Sequence, residues 1–326
     1  MDDVLESPDL LPAVFSSLSV REGNLAAASQ TWACTWQVVL ESRTPKHVHT
    51  YGPWLPWANA GREPIVLAYP RSVACLPNRE LVVALSNAGL VHCTADMKVK
   101  QIIMRHGDIK LRNGGLHCDE STLFAPSGSR IVSFKASDLS PLTASEVGPY
   151  GVMTISADKV FASLTSSQGE IAVLDKANLR ESWRFGLGVV NENIRAMCVL
   201  GNELFVSDRG NMPRAQVHIF SLHGAHRRTV KLDDVWHIHR LAVAKGRIFA
   251  TEFAYAADIA DKAERDRARA DMGKRVLVLS PELEVLCDFR GEGVSGDLDF
   301  WSPVPRGDNE LIVTNFERGK VHVFSI

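Results

Sequence analysis

Between residues 80 and 326 the chain repeats itself. Six segments lie over one another: ELVVALSNAGLVHCTADMKV (80–99), TLFAPSGSRIVSFKASDLS (122–140), KVFASLTSSQGEIAVLDKANL (159–179), ELFVSDRGNMPRAQVHIFSL (203–222), RIFATEF with GKRVLVLSPELEV (247–253 and 273–285), and NELIVTNFERGKVHVFSI (309–326). Each reads as an apolar strand, a turn of small polar residues, then a strand alternating apolar and polar side chains. With Val82, Leu123, Val160, Leu204, Ile248 and Leu311 as one repeated position, the spacings are 41, 37, 44, 44 and 63. The long step holds an insertion of roughly 20 residues, so the period is about 40.

A weaker strand precedes each unit, as in SVACL (72–76) and HRLAV (239–243), and in all but the last another follows, as in ESWRF (181–185) and RRTVKL (227–232). Four short strands at this period predict a β-propeller, because one small sheet cannot bury both faces and a closed ring of sheets can. The expected architecture is mainly β, a six-bladed propeller over 62–326. The last unit ends at Ile326 without a fourth strand, and PIVLAY (64–69) is expected to supply it and close the ring.

Composition narrows the function classes. Charged residues are 23% of the chain, with 36 basic against 38 acidic, so no basic excess points to nucleic acid or an anionic membrane. No apolar run reaches the roughly 18 residues of a membrane span. The start is acidic (Asp2, Asp3, Glu6) and lacks the features of a secretory signal. The six cysteines form no CxxC pair, which suits free thiols in a reducing compartment. A cytoplasmic or nuclear address with no metal and no cofactor is the expectation.

Ahead of the repeats, Leu10, Leu11, Val14, Phe15 and Leu18 make one helical stripe, with Ser7 as N-cap and Pro8 at the first helical position. Gly23-Asn24 breaks it, and Trp32, Trp36 and Leu40 share a face of a second helix. A helical module over 1–43 is expected, then a linker over 44–61 with Trp54 and Trp57 as anchors. Pro8, Leu10, Leu11, Val14, Phe15, Leu18, Leu25, Ala28, Ser29 and Trp32 together resemble an F-box. That resemblance implies docking onto a Skp-type adaptor and cullin through Pro8, Leu10, Leu11, Val14, Phe15, Leu18, Leu25 and Trp32. It makes the chain the substrate-recognition subunit of a cullin–RING ubiquitin ligase whose propeller holds an unknown protein substrate. The fourth unit, with Asp208, Gly210, Asn211 and Arg214, resembles the NHL repeat.

Loops entering the innermost strands and turns between second and third strands share one propeller face. Tyr150, Arg195, Arg209, Trp236, His237, His239, Phe316 and Arg318 are the candidates for substrate contact there, a mix of aromatics and arginine typical of binding patches. The insertion over 253–273 reads as a charged helix that could gate this face. The alternative is a protein-interaction scaffold with no ubiquitin role. A metal-dependent hydrolase could draw ligands from Asp208, Glu252, Asn315, His117 and His239. With no GxSxG or HExxH motif, the chain is expected not to be an enzyme.

Overall fold

The structure is a computed structural model describing residues 44–289 and 300–326, apart from 60, 87–88, 108, 111–114, 128, 166–168, 192, 209–213, 254–260, 264–265, 267–274 and 317. Six four-stranded antiparallel sheets form the blades. Blade 1 is Pro70–Cys75, Leu81–Leu85, Gly89–Cys93 and Val99–Ile103; blade 2 is His117–Cys118, Thr122–Ser127, Arg130–Lys135 and Pro141–Ala144. Blade 3 is Tyr150–Ile155, Lys159–Leu164, Ile171–Asp175 and Glu181–Phe185; blade 4 is Ile194–Leu200, Glu203–Asp208, Ala215–Ser221 and His226–Leu232. Blade 5 is His237–Ala244, Arg247–Phe253, Val276–Leu279 and Val285–Phe289. Blade 6 takes Phe300–Arg306, Glu310–Asn315 and Lys320–Ser325 from the end of the chain and Lys46–Tyr51 as its outer strand. The first strand of each blade is innermost, and each inner strand contacts the next round the ring, blade 6 back to blade 1.

Core packing explains why the repeat folds this way. Six apolar clusters fill the six seams between neighbouring blades. The second strands supply a common five-residue pattern, LFVSD, IFATE, LIVTN, VFASL, LFAPS and LVVAL, whose first residue is fully buried in every blade. The second residue, Phe124, Phe161, Phe205 or Phe249 in the middle blades, is buried within 1%. Successive side chains enter opposite seams, so both faces of each blade are covered.

Three expectations are corrected here. The closing strand is Lys46–Tyr51, not 64–69, and it pairs antiparallel with Lys320–Ser325. An outer strand faces solvent on one side, so KHVHTY reads as polar where the more apolar PIVLAY looked like a strand. The 44–61 stretch is accordingly no plain linker: it closes the ring, and Trp54–Leu55 pairs with Ile65–Val66 in a small hairpin. Trp57 bridges to Val99.

The N-terminal α-helical module is the third. Residues 1–43, with Pro8, Leu10, Leu11, Val14, Phe15, Leu18, Leu25 and Trp32, lie outside the described residues, and the elements of the described fold are all strands. A leading proline with i, i+4 apolar spacing marks any capped amphipathic helix and selects no one family. Most of the 253–273 insertion also lies outside the described residues. No helix among those described is long and apolar enough to cross a membrane.

Candidate functional site: the channel mouth and the closing seam

The inner strands share an irregularity. In five blades a β-bulge sits near the strand's start, after Pro70, Tyr150, Ile194, Ile238 and Phe300. The extra residue is Arg71, Arg195, His239 or Trp301 in blades 1, 4, 5 and 6, and blade 3 spends it across Gly151–Val152. A bulge turns one side chain out of the alternation and leaves a backbone N–H without its ladder partner. Hydroxyls on the second strand repair this: Val152 N–H donates to Ser163 Oγ at 2.8 Å, and Ser302 N–H to Thr314 Oγ1 at 3.1 Å. The Ser/Thr at the fourth place of VFASL and LIVTN is there for the bulge.

The fifth place of the pattern settles the candidate metal ligands. Asp208 is fully buried; its Oδ2 accepts the Asn191 backbone N–H at 2.7 Å and His218 Nε2 at 3.0 Å. Glu252, also fully buried, accepts the Trp236 N–H at 2.6 Å and a two-pronged ion pair from Arg275. Asn315 Oδ1 accepts the Arg318 N–H at 3.1 Å. Each tethers a loop to its own blade. Among the described residues no group of three or more His, Cys, Asp or Glu is placed to hold a metal. The Asp of the NHL-like stretch thus tethers the Asn191 loop through Oδ2, while Arg209, Gly210 and Asn211 lie outside the described residues.

The sequence candidates divide by exposure. Tyr150, Trp236, His237 and His239 are buried at 7%, 3%, 3% and 7%, too little surface for a macromolecule to read. Trp236 lies beneath Arg214, whose guanidinium carbon is 3.9 Å from the ring centre. Arg195 and Phe316 are half-buried and Arg318 is exposed.

Among the described residues two places stand out. The first is the central channel, a cavity of about 210 Å³ with walls from all six blades. His117 of blade 2 and Arg240 of blade 5 line it from opposite sides of the ring. Arg240 Nη1 donates to the Arg195 and His239 carbonyls at 2.9 and 2.8 Å. Burial, opposed by a bond to the Met153 backbone and reinforced by the Arg240 charge, holds the His117 pKa down to about 4. Cys75, Cys118 and Cys198 also line the wall; burial raises all three thiols, Cys118 to about 12, which keeps them un-ionised and poor nucleophiles.

The second is the seam where blade 6 meets blade 1, of which sequence reasoning named Phe316 and Arg318 as contacts and Trp54 only as an anchor. Trp54, Val66 and Tyr69 are exposed by 64%, 44% and 50%. Trp54 and Val66 are cross-strand partners. Tyr69 holds φ +54°, a conformation that a bulky residue adopts only under constraint. Its carbonyl accepts Ser86 Oγ at 3.2 Å, and its ring lies 5.2 Å from Phe316. Arg71 also lies over Phe316, 5.5 Å from the ring centre, and its Nε donates to Ser86 Oγ. Gly319 lies so close to Leu67 that a Cβ there would meet the Leu67 carbonyl at 2.2 Å and Pro53 Cβ at 3.4 Å, so Gly319 packs against the chain flanking the Trp54 hairpin.

Comparison with protein-family models finds no match for this chain, the F-box included, and no curated protein matches it. With no helical module in the described fold, the F-box assignment is withdrawn, and with it the ubiquitin-ligase role and the Skp-type adaptor and cullin as partners.

Proposed function

We propose that the protein is a protein-interaction scaffold, a rigid propeller whose docking surface is the blade 6–blade 1 seam. The observation that carries this reading is the exposed set Trp54, Val66 and Tyr69, backed by Phe316 and bordered by Arg71 and the exposed Arg318. Large aromatics with arginine at the margin are the composition of interface hot spots. A tyrosine kept half-exposed in a strained backbone conformation is unfavourable for folding alone, and such strain gathers at working surfaces. The reading is of a binding protein rather than an enzyme, because Glu252 is engaged by Arg275 and the Trp236 N–H, and Asp208 Oδ2 by Asn191 and His218. The cytoplasm or nucleus suits the five described cysteines, which are free thiols.

The test is site-specific photocrosslinking. A crosslinker at position 54 or 69 should trap a protein that one at Leu187, equally exposed at 64%, does not. With that partner purified, Trp54→Ala or Tyr69→Ala should weaken binding by about 30-fold, the scale of a hot-spot truncation. Identical crosslinks from position 187, or affinity unchanged in both variants, would overturn the assignment.

A further inference from the structure

The channel carries an inference separate from the seam. One level of its wall is set by strand register. Ala74, His117, Thr154, Cys198, Ala242 and Val304, from blades 1 to 6 in order, each pair with the second residue of the repeated pattern. All six line the cavity. Round the ring they divide into two arcs. Blades 2, 3 and 4 contribute an imidazole, a hydroxyl and a thiol, whereas blades 5, 6 and 1 contribute alkyl side chains alone. Burial holds His117 neutral, and a neutral imidazole has one donor and one acceptor nitrogen. The Met153 backbone engages one of them, which leaves the other for the channel. Arg240 stands two residues ahead of Ala242, outside this level, with Nη1 bound to the Arg195 and His239 carbonyls. Among the described lining residues none is Asp or Glu.

We propose that the channel binds a small neutral hydroxyl compound, an alcohol or phenol of single-ring size, its O–H held by His117 and Thr154 and its apolar body lying against Ala242, Val304 and Ala74. A few polar groups facing an apolar wall are the usual make-up of a small-molecule site. A hydroxyl both donates and accepts, so it meets the imidazole in either tautomer and the Thr154 hydroxyl as well. Charge decides against ions at this level: a carboxylate would set its charge against a neutral ring, and an ammonium would find no carboxylate on the described wall. Size decides for a single ring. A cavity of about 210 Å³ is only somewhat larger than one of about 150 Å³ that accommodates benzene.

The experiment uses the full chain, with thermal shift and titration calorimetry against phenol, benzyl alcohol, cyclohexanol, toluene, benzoate and benzylamine. At least one of the three hydroxyl compounds should stabilise saturably. Toluene, which has the body without the O–H, should bind about tenfold more weakly, the scale of one hydrogen bond. Benzoate and benzylamine should bind more weakly than the best hydroxyl compound. His117→Phe keeps a ring of similar shape without its nitrogens and should bring the affinity for that compound down to the toluene value. Because His117 also meets the Met153 backbone, Ala242→Leu provides a second route: it narrows the apolar arc with the polar arc in place and should abolish binding. Four results would each overturn the proposal: no saturable response to any of the three hydroxyl compounds, an equal response to toluene, tighter binding of benzoate or benzylamine than of every hydroxyl compound, or affinity retained in either variant that folds.

Discussion

Glu252 illustrates what a residue-by-residue reading can and cannot see. Its place at the end of a second strand, matched by Asp208 and Asn315, is plain in the sequence as IFATE, LFVSD and LIVTN. Whether such a ring of oxygens points to the axis or back into the blade depends on backbone that sequence does not display. The structure spends Glu252 on Trp236 N–H and Arg275, and Arg275 in turn reaches Asp288 at 3.1 Å and the Asp234 carbonyl at 3.0 Å. Burial disfavours the Arg275 cation, and its bonds to Glu252 and Asp288 outweigh that, so its pKa lies above the usual guanidinium value. Glu252→Ala is therefore expected to destabilise by about 3–5 kcal/mol, since it leaves a buried cation without its main partner. The double variant Glu252→Met with Arg275→Met should recover most of that loss. Urea denaturation reads both. A chelator should leave the wild-type curve unchanged; a matching loss on chelation would restore the metal-ligand reading.

Elements were legible where the repeat imposes one requirement on every blade. Strand order, blade number and the buried second strand follow from period and alternation, although structural equivalence starts at Leu81 in the first unit rather than at Val82. The turns between third and outer strands show the opposite. There Met97, Leu139, Leu179 and Leu283 all take positive φ, of 63°, 58°, 56° and 70°, and all are buried within 4%. Local propensity would put Gly or Asn at such a position, as blade 4 does with Gly224 at +80°. Four blades accept left-handed strain of about 1–2 kcal/mol to bury an apolar side chain worth more. Preceding polar residues support the turn: Asp138 Oδ1 accepts the Ser140 N–H at 2.8 Å and Asn178 Oδ1 the Arg180 N–H at 2.8 Å. Leu139→Asn separates the two effects. Asparagine suits the conformation, yet the variant should lose about 2–4 kcal/mol because burial dominates. A neutral or stabilised variant in thermal unfolding would show that conformation decides instead.

For the whole molecule the decisive join is the one between Lys46–Tyr51 and the last repeat, and it was legible only as a need. A last repeat lacking its outer strand says that something earlier must close the ring, but a half-exposed outer strand has too weak a pattern to say which segment. Several contacts hold the join. Glu310 takes Arg306 at 3.0 Å within blade 6 and Arg79 of blade 1 at 2.6 Å, and Thr50 on the closing strand bonds both His47 at 2.8 Å and His322 at 2.9 Å. His322 is fully buried, and burial, aided by nearby His47 and Lys320, depresses its pKa from 6.5 to about 4. The neutral ring is the folded form. Unfolding lets it take a proton below pH 6.5, so its contribution is complete above that value, declines as pH falls towards 4, and changes no further below. At most roughly 3 kcal/mol is at stake for a shift of this size. His117 and His92 are depressed in the same direction, mainly by burial, so the loss is shared between the channel, blade 1 and blade 6. Denaturation midpoints measured from pH 8 to pH 4 should be flat above 6.5 and fall below it. In His322→Gln, whose amide can still meet Thr50 but does not titrate, the fall should be shallower by the His322 share. If His322→Gln instead falls as steeply as wild type, the blade 6 strand that pairs with the closing strand is not the acid-sensitive part of the ring, and the loss belongs to His117 and His92.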